Sequence, residues 1–483
     1  MAENKEGVNA KKEENFSEWF TQIIQKAELA DLRYNVKGFL VFQPWSVLSM
    51  EKMYDYYEKS LQKKGHRPYW FPTVIPKSNL EKEKEHVEGF TPEVFWVTHG
   101  GKNKLEEPLA LRPTSETAFY QMFSLWIRSY KDLPFKTYQR ANIFRCETKS
   151  TRPFMRSREF YWIETHNAHA TKEDAMKQVY EDMKTTQEVL HDIFGLPFIF
   201  FERPAWDRFP GAERTFAADV LNPDGKVLQQ PSTHLLSQKF SKGFNVKFAD
   251  KDGKEKYCWI TCYGPAISRI FASIIIVHGD DKGLKFPWEI APVQVVIVPI
   301  DLNDKKIKKV AEDLKEKIEE FASVEIDYSE KRPGEKFNYW EMKGVPIRID
   351  LGMKDIQNKE ITLFRRDLDK KIVINENKAI DEIRKISKEI TKNLAKKADM
   401  IFADRTKKAK NLEDIKKIIT EGGIAKAEFC SVEKKGEKCA EKIEKETGAE
   451  VRGTKLDEKE KPKGKCAICG KKAGHIVYIA RAY

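Results

Sequence analysis

In the first part of the chain the apolar residues fall at helical spacing. Trp19, Phe20, Ile23, Ile24 and Ala27 form one stripe, which predicts an amphipathic helix from Asn15 to Asp31. Met50, Met53, Tyr57 and Leu61 repeat the pattern, with Ser46 or Ser49 as the opening cap and Gly65 as the stop. Arg67–Pro76 then predicts an extended segment. Pro72 and Pro76 confine it to a sheet edge, because proline has no N–H to give to a ladder. Residues 77–108 are charged and loop-rich, with a short strand at Val94–Val97. A further long helix starts at the Thr171 cap, buries Val179, Met183, Leu190 and Ile193, and ends at Gly195. Pro197–Phe201 follows as a strand.

From Ala291 the pattern changes. The β-branched run to Pro299 predicts a strand buried on both faces, as in a parallel sheet. Helices are predicted near 305–322, 336–343 and 378–398, and strands at 324–328, 345–351 and 360–365. Alternating strands and helices predict an α/β domain.

The chemistry concentrates in Arg140–Glu164. Arg145 and Glu147 stand two apart, so in a strand they share a face; Phe160, Trp162 and Glu164 do the same in a second run. Between the runs lies a polar loop beginning at Thr148. Two antiparallel strands then form a floor with cations (Arg145, Arg156), carboxylates and aromatic rings. Such a floor suits a bent polyphosphate beside a purine: guanidinium forks meet phosphate oxygens, a ring stacks on the base, and Glu147 accepts from an exocyclic amine. The plainer alternative is a β-hairpin with surface salt bridges. Arginines clustered beside aromatic rings favour the anion.

Phe144-Arg145-Cys146-Glu147, followed by Arg156-Ser157-Arg158-Glu159-Phe160, resembles motif 2 of class II aminoacyl-tRNA synthetases. Leu111-Arg112-Pro113-Thr114-Ser115-Glu116 resembles the amino-acid-binding loop of prolyl-tRNA synthetases of the archaeal/eukaryotic type. The resemblance runs along nearly the whole chain. It implies that Thr114 and Glu116 hold proline's secondary amine, with Arg145, Trp162, Glu164, His166 and His234 completing the proline site. On the residues alone, Thr114 and Glu116 also read as a helix cap. ATP is expected at Arg145, Glu147, Arg156, Ser157, Phe160, Gln229, Ser232 and Arg269, with Arg145 and Arg269 as the catalytic arginines and Mg²⁺ beside the phosphates.

Two segments depart from the family pattern. Gln230-Pro231 stands where a glycine pair is common, in a segment where Ser232 replaces threonine. Ile260–His278 resembles motif 3, but four residues rather than three separate Gly264 from Arg269. The stretch from Asn167 to Tyr257 is too short for the editing domain that many bacterial relatives insert. The helix and proline-ended strand before residue 77 resemble motif 1, which implies a homodimer. The α/β region resembles a class IIa anticodon-binding domain, placing Glu341, Arg348, Lys354 and Asp355 towards the anticodon; surface ion pairs are the alternative.

Composition extends this picture. A chain of 483 residues needs two or three domains. The formal charge of +12 favours a polyanionic partner such as tRNA(Pro), or reflects lysine-rich solvated helices. No apolar run reaches the roughly 18–20 residues of a membrane span, so no membrane association is expected. Seven cysteines, an odd number, argue for a cytoplasmic protein rather than a disulfide framework. Cys430 and Cys439, followed by Cys466-x2-Cys469, suit a closed zinc tetrathiolate; free or partly oxidised thiols are the alternative. Their segment looks too charged to build a core, so metal is expected to hold it.

The expected chain therefore has a tail at 1–14 and an α+β class II catalytic domain with an antiparallel sheet at 15–288. An α/β anticodon-binding domain at 289–398 and a small α+β zinc-binding domain at 399–483 follow. It activates L-proline with ATP and transfers it to tRNA(Pro). The rivals are a sister synthetase (threonyl, glycyl or histidyl) and a synthetase-like RNA-binding protein without catalysis. The chain has no Walker loop and no GxGxxG, which excludes P-loop and dinucleotide folds.

Overall fold

The computed structural model describes residues 7–86, 94–147, 150–456 and 461–483. Its centre is an 11-stranded sheet in the order 406–409, 424–429, 475–482, 450–455, 199–202, 214–221, 226–237, 259–264, 159–169, 135–144 and 67–68. The middle strands are antiparallel, with His234 opposite Cys262, Cys262 opposite His166, and Ala141 opposite Trp162. The two-residue period separates the sheet's faces. Tyr138 and Ile163 pack with Trp19, Met53 and Ile270 of three helices, Phe16–Lys26, Pro44–Lys63 and Ile267–His278. On the opposite face Ala168 and Ile260 meet Phe119 and Tyr120 of the helix Glu116–Trp126.

The first helix is capped by Asn15, which accepts from the Glu18 N–H at 3.2 Å. It stops well short of Asp31, because Glu28 takes a positive φ of 53° and Ala30–Asp31 pairs as a strand with Val41–Phe42. The second helix opens at Pro44, whose fixed φ suits a first helical position, while the Ser46 hydroxyl donates to Leu29 O at 2.6 Å. Arg67–Pro76 divides: Arg67–Pro68 edges the large sheet, and Val74–Pro76 edges a three-stranded sheet with Trp96–Gly100 and Asn103–Leu111. The last strand falls largely where the sequence predicts loop, because its lysines and glutamates face solvent. The expected tail falls partly on residues 1–6, outside the described residues. Lys12 is anchored, donating Nζ–H to Gly279 O at 2.6 Å.

Residues 295–375 build a mixed sheet in the order 324–326, 295–299, 347–351, 360–365 and 370–375. Its first three strands are parallel, as the apolar run predicts, and the last two are antiparallel. The helix Met353–Asn358 and the strand Lys370–Asn375 were not foreseen. Gly344 closes the helix Pro333–Lys343 at φ 71°; a Cβ there would lie 2.7 Å from the Leu284 backbone. The helix Ala379–Asp404 runs past the expected end at 398.

The C-terminal region corrects an expectation. Ile415, Ile418, Phe429, Ile443, Val451 and Ile479 form a buried core of its own. Its strands also continue the central sheet, because Thr454 pairs with Glu202 and Lys226 with Arg481. Apolar residues spaced among lysines suffice once one sheet face is covered by the helices Leu412–Thr420 and Glu437–Thr447. Among the described residues no helix is long and apolar enough to cross a membrane.

Candidate functional site

A cavity of 730 Å³ opens over the central strands. Arg145 and Glu147 share it, but not as strand neighbours: the strand ends at Phe144 and both residues belong to the following loop. Arg145 Nε donates to Pro113 O at 3.2 Å, and the guanidinium lies 5.1 Å from the Phe160 ring centroid. Arg269, in the first turn of the helix Ile267–His278, donates to Met155 O at 3.2 Å and Gln229 O at 3.3 Å. Arg156 lines the same end. Among the described residues none of these three arginines has a carboxylate ion-pair partner. Burial, with Arg145 and Arg156 close by, pulls Arg269 down to about 10. Burial also lowers Arg145, against the pull of Glu116, Glu147 and Glu164. Three clustered like charges, partly buried and without an ion-pair partner among the described residues, are costly, and an anion between them would relieve that cost.

The other end is acidic. Glu116 is buried, and its carboxylate accepts the Thr114 hydroxyl. It is the first residue of its helix, yet the Ser115 N-cap position shows no side-chain cap bond. The burial of Glu116, with Glu164 nearby, pushes its pKa above the usual range although His166 opposes this. Glu164 behaves differently. Burial pushes it up too, but donors from His166, Ser115 and Gln139 outweigh burial and leave it below the usual value. Gln139 Nε2 reaches it at 2.6 Å and His166 Nε2 lies at 3.1 Å, with His166 Nδ1 held by Tyr120 Oη at 2.9 Å. Glu164 is therefore satisfied by the fold, while Glu116 has no ion-pair partner within 4 Å among the described residues. Trp162 lines the cavity with its indole N–H buried and unpartnered.

The strand Lys226–Ser237 forms the far wall. His234 accepts or donates at Ser232 Oγ (3.0 Å) and Thr215 Oγ1 (3.1 Å), and burial beside Arg203 holds it down to about 3, hence neutral. The Gln230-Pro231 departure sits at an irregularity in the ladder between Ala217 and Asp219, where proline's missing N–H removes little. Gln230 turns to the other side and donates to Ser273 Oγ at 2.7 Å. Ser157 lies off the main cavity, its hydroxyl donating to Glu159 O at 2.7 Å, in a small adjoining cleft shared with Arg145, Arg156 and Arg269.

The sequence reading missed Arg203, Arg208, Phe209, Thr215 and Cys262, all of which line the cavity. Arg203 grips Asp219 at 2.7 and 3.2 Å and reaches Gln229 Oε1 at 3.2 Å. Arg452 of the C-terminal region binds the same carboxylate at 2.8 Å. Nothing local in the sequence signals this group, whose members are far apart in the chain.

In the mixed-sheet region, Arg348 is buried between the Phe337 and Phe364 rings and paired with Glu341 (2.9 Å) and Asp350 (2.7 Å). Asp355 accepts from the Gly352 N–H at 2.9 Å, while Lys354 is exposed. The Sγ atoms of Cys430, Cys439, Cys466 and Cys469 lie within 4.8 Å of one another, Cys430 and Cys439 at 3.7 Å. Tetrahedral zinc with Zn–S of about 2.3 Å needs sulfurs about 3.8 Å apart, so the four thiols fit it.

Comparison with known proteins places these features. Residues 95–278 match the tRNA synthetase class II core domain (G, H, P, S and T). Residues 294–386 match the anticodon binding domain, and 412–483 the prolyl-tRNA synthetase C-terminal family. The chain is 49% identical to a proline–tRNA ligase of Thermofilum pendens, covering 99% of this chain and 100% of the relative. It is 40% identical to that of Pyrococcus abyssi, covering 97% and 98%. Among solved structures, Giardia lamblia prolyl-tRNA synthetase in complex with prolyl-adenylate superposes with a TM-score of 0.94 at 38% identity, covering 99% and 100%. The Cryptosporidium parvum enzyme with halofuginone and AMPPNP gives 0.94 at 32% identity, covering 99% and 100%.

Proposed function

Because the chain belongs to the proline–tRNA ligase family and activates L-proline with ATP before transferring it to tRNA(Pro), we propose roles for its own residues in that reaction. The observation that carries the assignment is the lining of the 730 Å³ cavity, where Arg145, Arg156 and Arg269 have no ion-pair partner among the described residues and the buried Glu116 carboxylate lies near Arg145. Proline is a cation at its nitrogen and an anion at its carboxylate, so only one orientation fits. The ammonium's two N–H bonds meet Glu116 and Thr114, and the carboxylate points to Arg145. Trp162 and His166 shape the ring pocket, Glu164 orients His166, and neutral His234 completes the wall.

Arg145, Arg156 and Arg269 receive the phosphates of ATP, Phe160 stacks on the adenine, and Glu147 accepts from its amine. Gln229 and Ser232 line the nucleotide, and Ser157 braces the loop from its side cleft. Proline's carboxylate oxygen attacks the α-phosphorus and pyrophosphate leaves; the tRNA ribose hydroxyl then attacks the adenylate. No side-chain nucleophile is needed, and the arginines stabilise the developing charge. Mg²⁺ bound with the nucleotide would neutralise phosphate charge. Zinc held by Cys430, Cys439, Cys466 and Cys469 would be structural, since four thiolates leave no open position.

The region resembling an anticodon domain presents Lys354 to RNA, with Glu341, Arg348 and Asp355 behind it. Trp70 is 92% exposed, and Trp96, Leu125 and Trp126 are exposed as well, a surface suited to a second copy of this chain. Cytoplasmic translation is the setting we assign. The test is ATP–pyrophosphate exchange run with all twenty amino acids: exchange with proline alone is expected, and exchange driven better by another amino acid would overturn the reading.

A further inference from the structure

A second cavity of 580 Å³ shares a wall with the first, with Arg156, Gln229 and Arg269 common to both. Its additional walls come from the loop at Arg152, the strand start at Lys226, and the C-terminal region at Glu450, Arg452 and Tyr483. Five lining side chains are cationic: Arg152, Arg156, Lys226, Arg269 and Arg452. The lining carboxylate, Glu450, is already paired with Arg452 Nη1 at 2.6 Å. Arg152 stacks over the Phe16 and Phe20 rings at 5.0 and 5.4 Å, and its Nη2 is buried without a partner. Lys226 Nζ lies 5.1 Å from the Tyr483 ring centroid and has no ion pair among the described residues. Arg452 is matched by Glu450 and Asp219, which leaves Arg152, Arg156, Lys226 and Arg269 without a carboxylate ion pair among the described residues, and a polar cavity with that excess of positive charge suits a multivalent anion. Its shared wall with Arg156 and Arg269 says which one: the piece of ATP that comes free at that end.

We propose that this second cavity is a departure site for inorganic pyrophosphate, in series with Arg269. The proposal rests on the ATP reading of the first cavity. In activation a proline carboxylate oxygen bonds to the α-phosphorus. The bond from that phosphorus to the oxygen bridging towards the β-phosphorus breaks. The bridging oxygen leaves with the electron pair as pyrophosphate, and no proton has to move with it. Arg269 meets the charge as it develops. Lys226 and Arg152 then offer a second set of donors, so the product can step off Arg269 without passing through bulk water beside the adenylate. That step also works in reverse, and pyrophosphate entering for ATP synthesis would dock first against Lys226 and Arg152.

The test uses the full chain and the variants Lys226→Ser and Arg152→Gln, in proline-dependent ATP–pyrophosphate exchange and in product inhibition of the forward reaction. The KM for pyrophosphate and its inhibition constant are expected to rise about ten- to a hundredfold in each variant, the loss of one charged hydrogen bond. The KM values for ATP and proline are expected to stay put. An unchanged pyrophosphate KM in Lys226→Ser overturns the proposal. So does an ATP KM that rises in step, since the cavity would then hold ATP's own phosphates. A rise confined to the KM for tRNA overturns it too, giving the cavity to the tRNA backbone. Should Arg152→Gln unfold early in a thermal melt, Lys226→Ser decides alone. Absence of any proline-dependent exchange in the unaltered protein would instead sink the ATP reading itself.

Discussion

Two groups of arginines line the cavities of this protein and behave oppositely. In one, Arg203 and Arg452 close on Asp219, which is wholly buried. Burial pushes that carboxyl up, but the two guanidinium groups outweigh it and hold Asp219 below the usual range. In the other, Arg145, Arg156 and Arg269 line the first cavity with no carboxylate ion pair among the described residues, and Arg145 lies over the Phe160 ring. Arginine does not escape burial by losing its proton, so an unmatched group stays charged and waits for an anion. The carboxylates repeat the contrast, with Glu164 matched by the fold and Glu116 unmatched. A matched charge is architecture, whereas an unmatched one describes a ligand.

The sharpest way to break this comparison is Asp219→Ala. It strands two buried guanidinium groups and should cost about 3–5 kcal/mol of stability, read by urea unfolding. A variant as stable as the parent would mean the pair is solvated and the contrast false. Next in size is Arg145→Ala. Proline-dependent exchange should fall about 10²–10³-fold, while the melting temperature holds or rises because an unmatched charge has gone. Near-normal adenylate formation would take Arg145 out of the site. Glu116→Gln comes third: proline binding should weaken by about 1.5–3 kcal/mol, with ATP spared. Equal losses for both ligands would return Glu116 to the role of a helix cap.

This contrast also marks what could be read from the sequence. Arg145, Glu147, Phe160, Trp162 and Glu164 were legible because strand periodicity and spacing put their chemistry together locally. Strand periodicity does not account for Arg145 and Glu147, since a loop and not a strand carries them. Arg203, Asp219 and Arg452 were not legible, for their union depends on the sheet joining regions remote in sequence. The C-terminal core was missed for a related cause. Ile415, Ile418, Phe429 and Val451 are diluted by lysines along the chain and meet only when strands and helices stack.

That core shapes the fourth prediction. Because the C-terminal region buries its own apolar residues and continues the central sheet, zinc is not its sole support. On the structural-site reading the protein should carry about one zinc per chain, measured by metal analysis. Cys466→Ser should lose the metal and loosen protease resistance near residues 461–474, with activation down a few-fold at most. Complete loss of activation in a protein otherwise folded would show that Arg452 and its Asp219 clamp move with the metal. Protein free of zinc after metal-replete expression would remove the site.

The smallest effect tests the other half of the comparison, the groups that can escape burial. His169 and His278 are buried like Arg203 and Arg452, but burial simply lowers them, to about 3 and about 4, so they stay neutral. Their folded values lie below the unfolded value of about 6.5. Below that pH the unfolded chain binds a proton that the folded chain refuses. Their contribution to stability is therefore complete above pH 6.5 and is lost as pH falls towards 4. Asp182 runs the other way. Burial raises it to about 7, so its protonated form favours the fold at low pH and that benefit fades as pH rises from 4 to 7. His169 ring Nε2 makes only a long 3.4 Å contact with Thr261, so His169→Gln removes the titration with little packing change. Between pH 6.5 and 5.5 the parent should lose up to about 1.4 kcal/mol more than the variant, one pH unit's worth of a single proton. Identical losses would mean that His169 takes up its proton in place, as solvated groups do, and that burial alone does not separate matched from unmatched charge here.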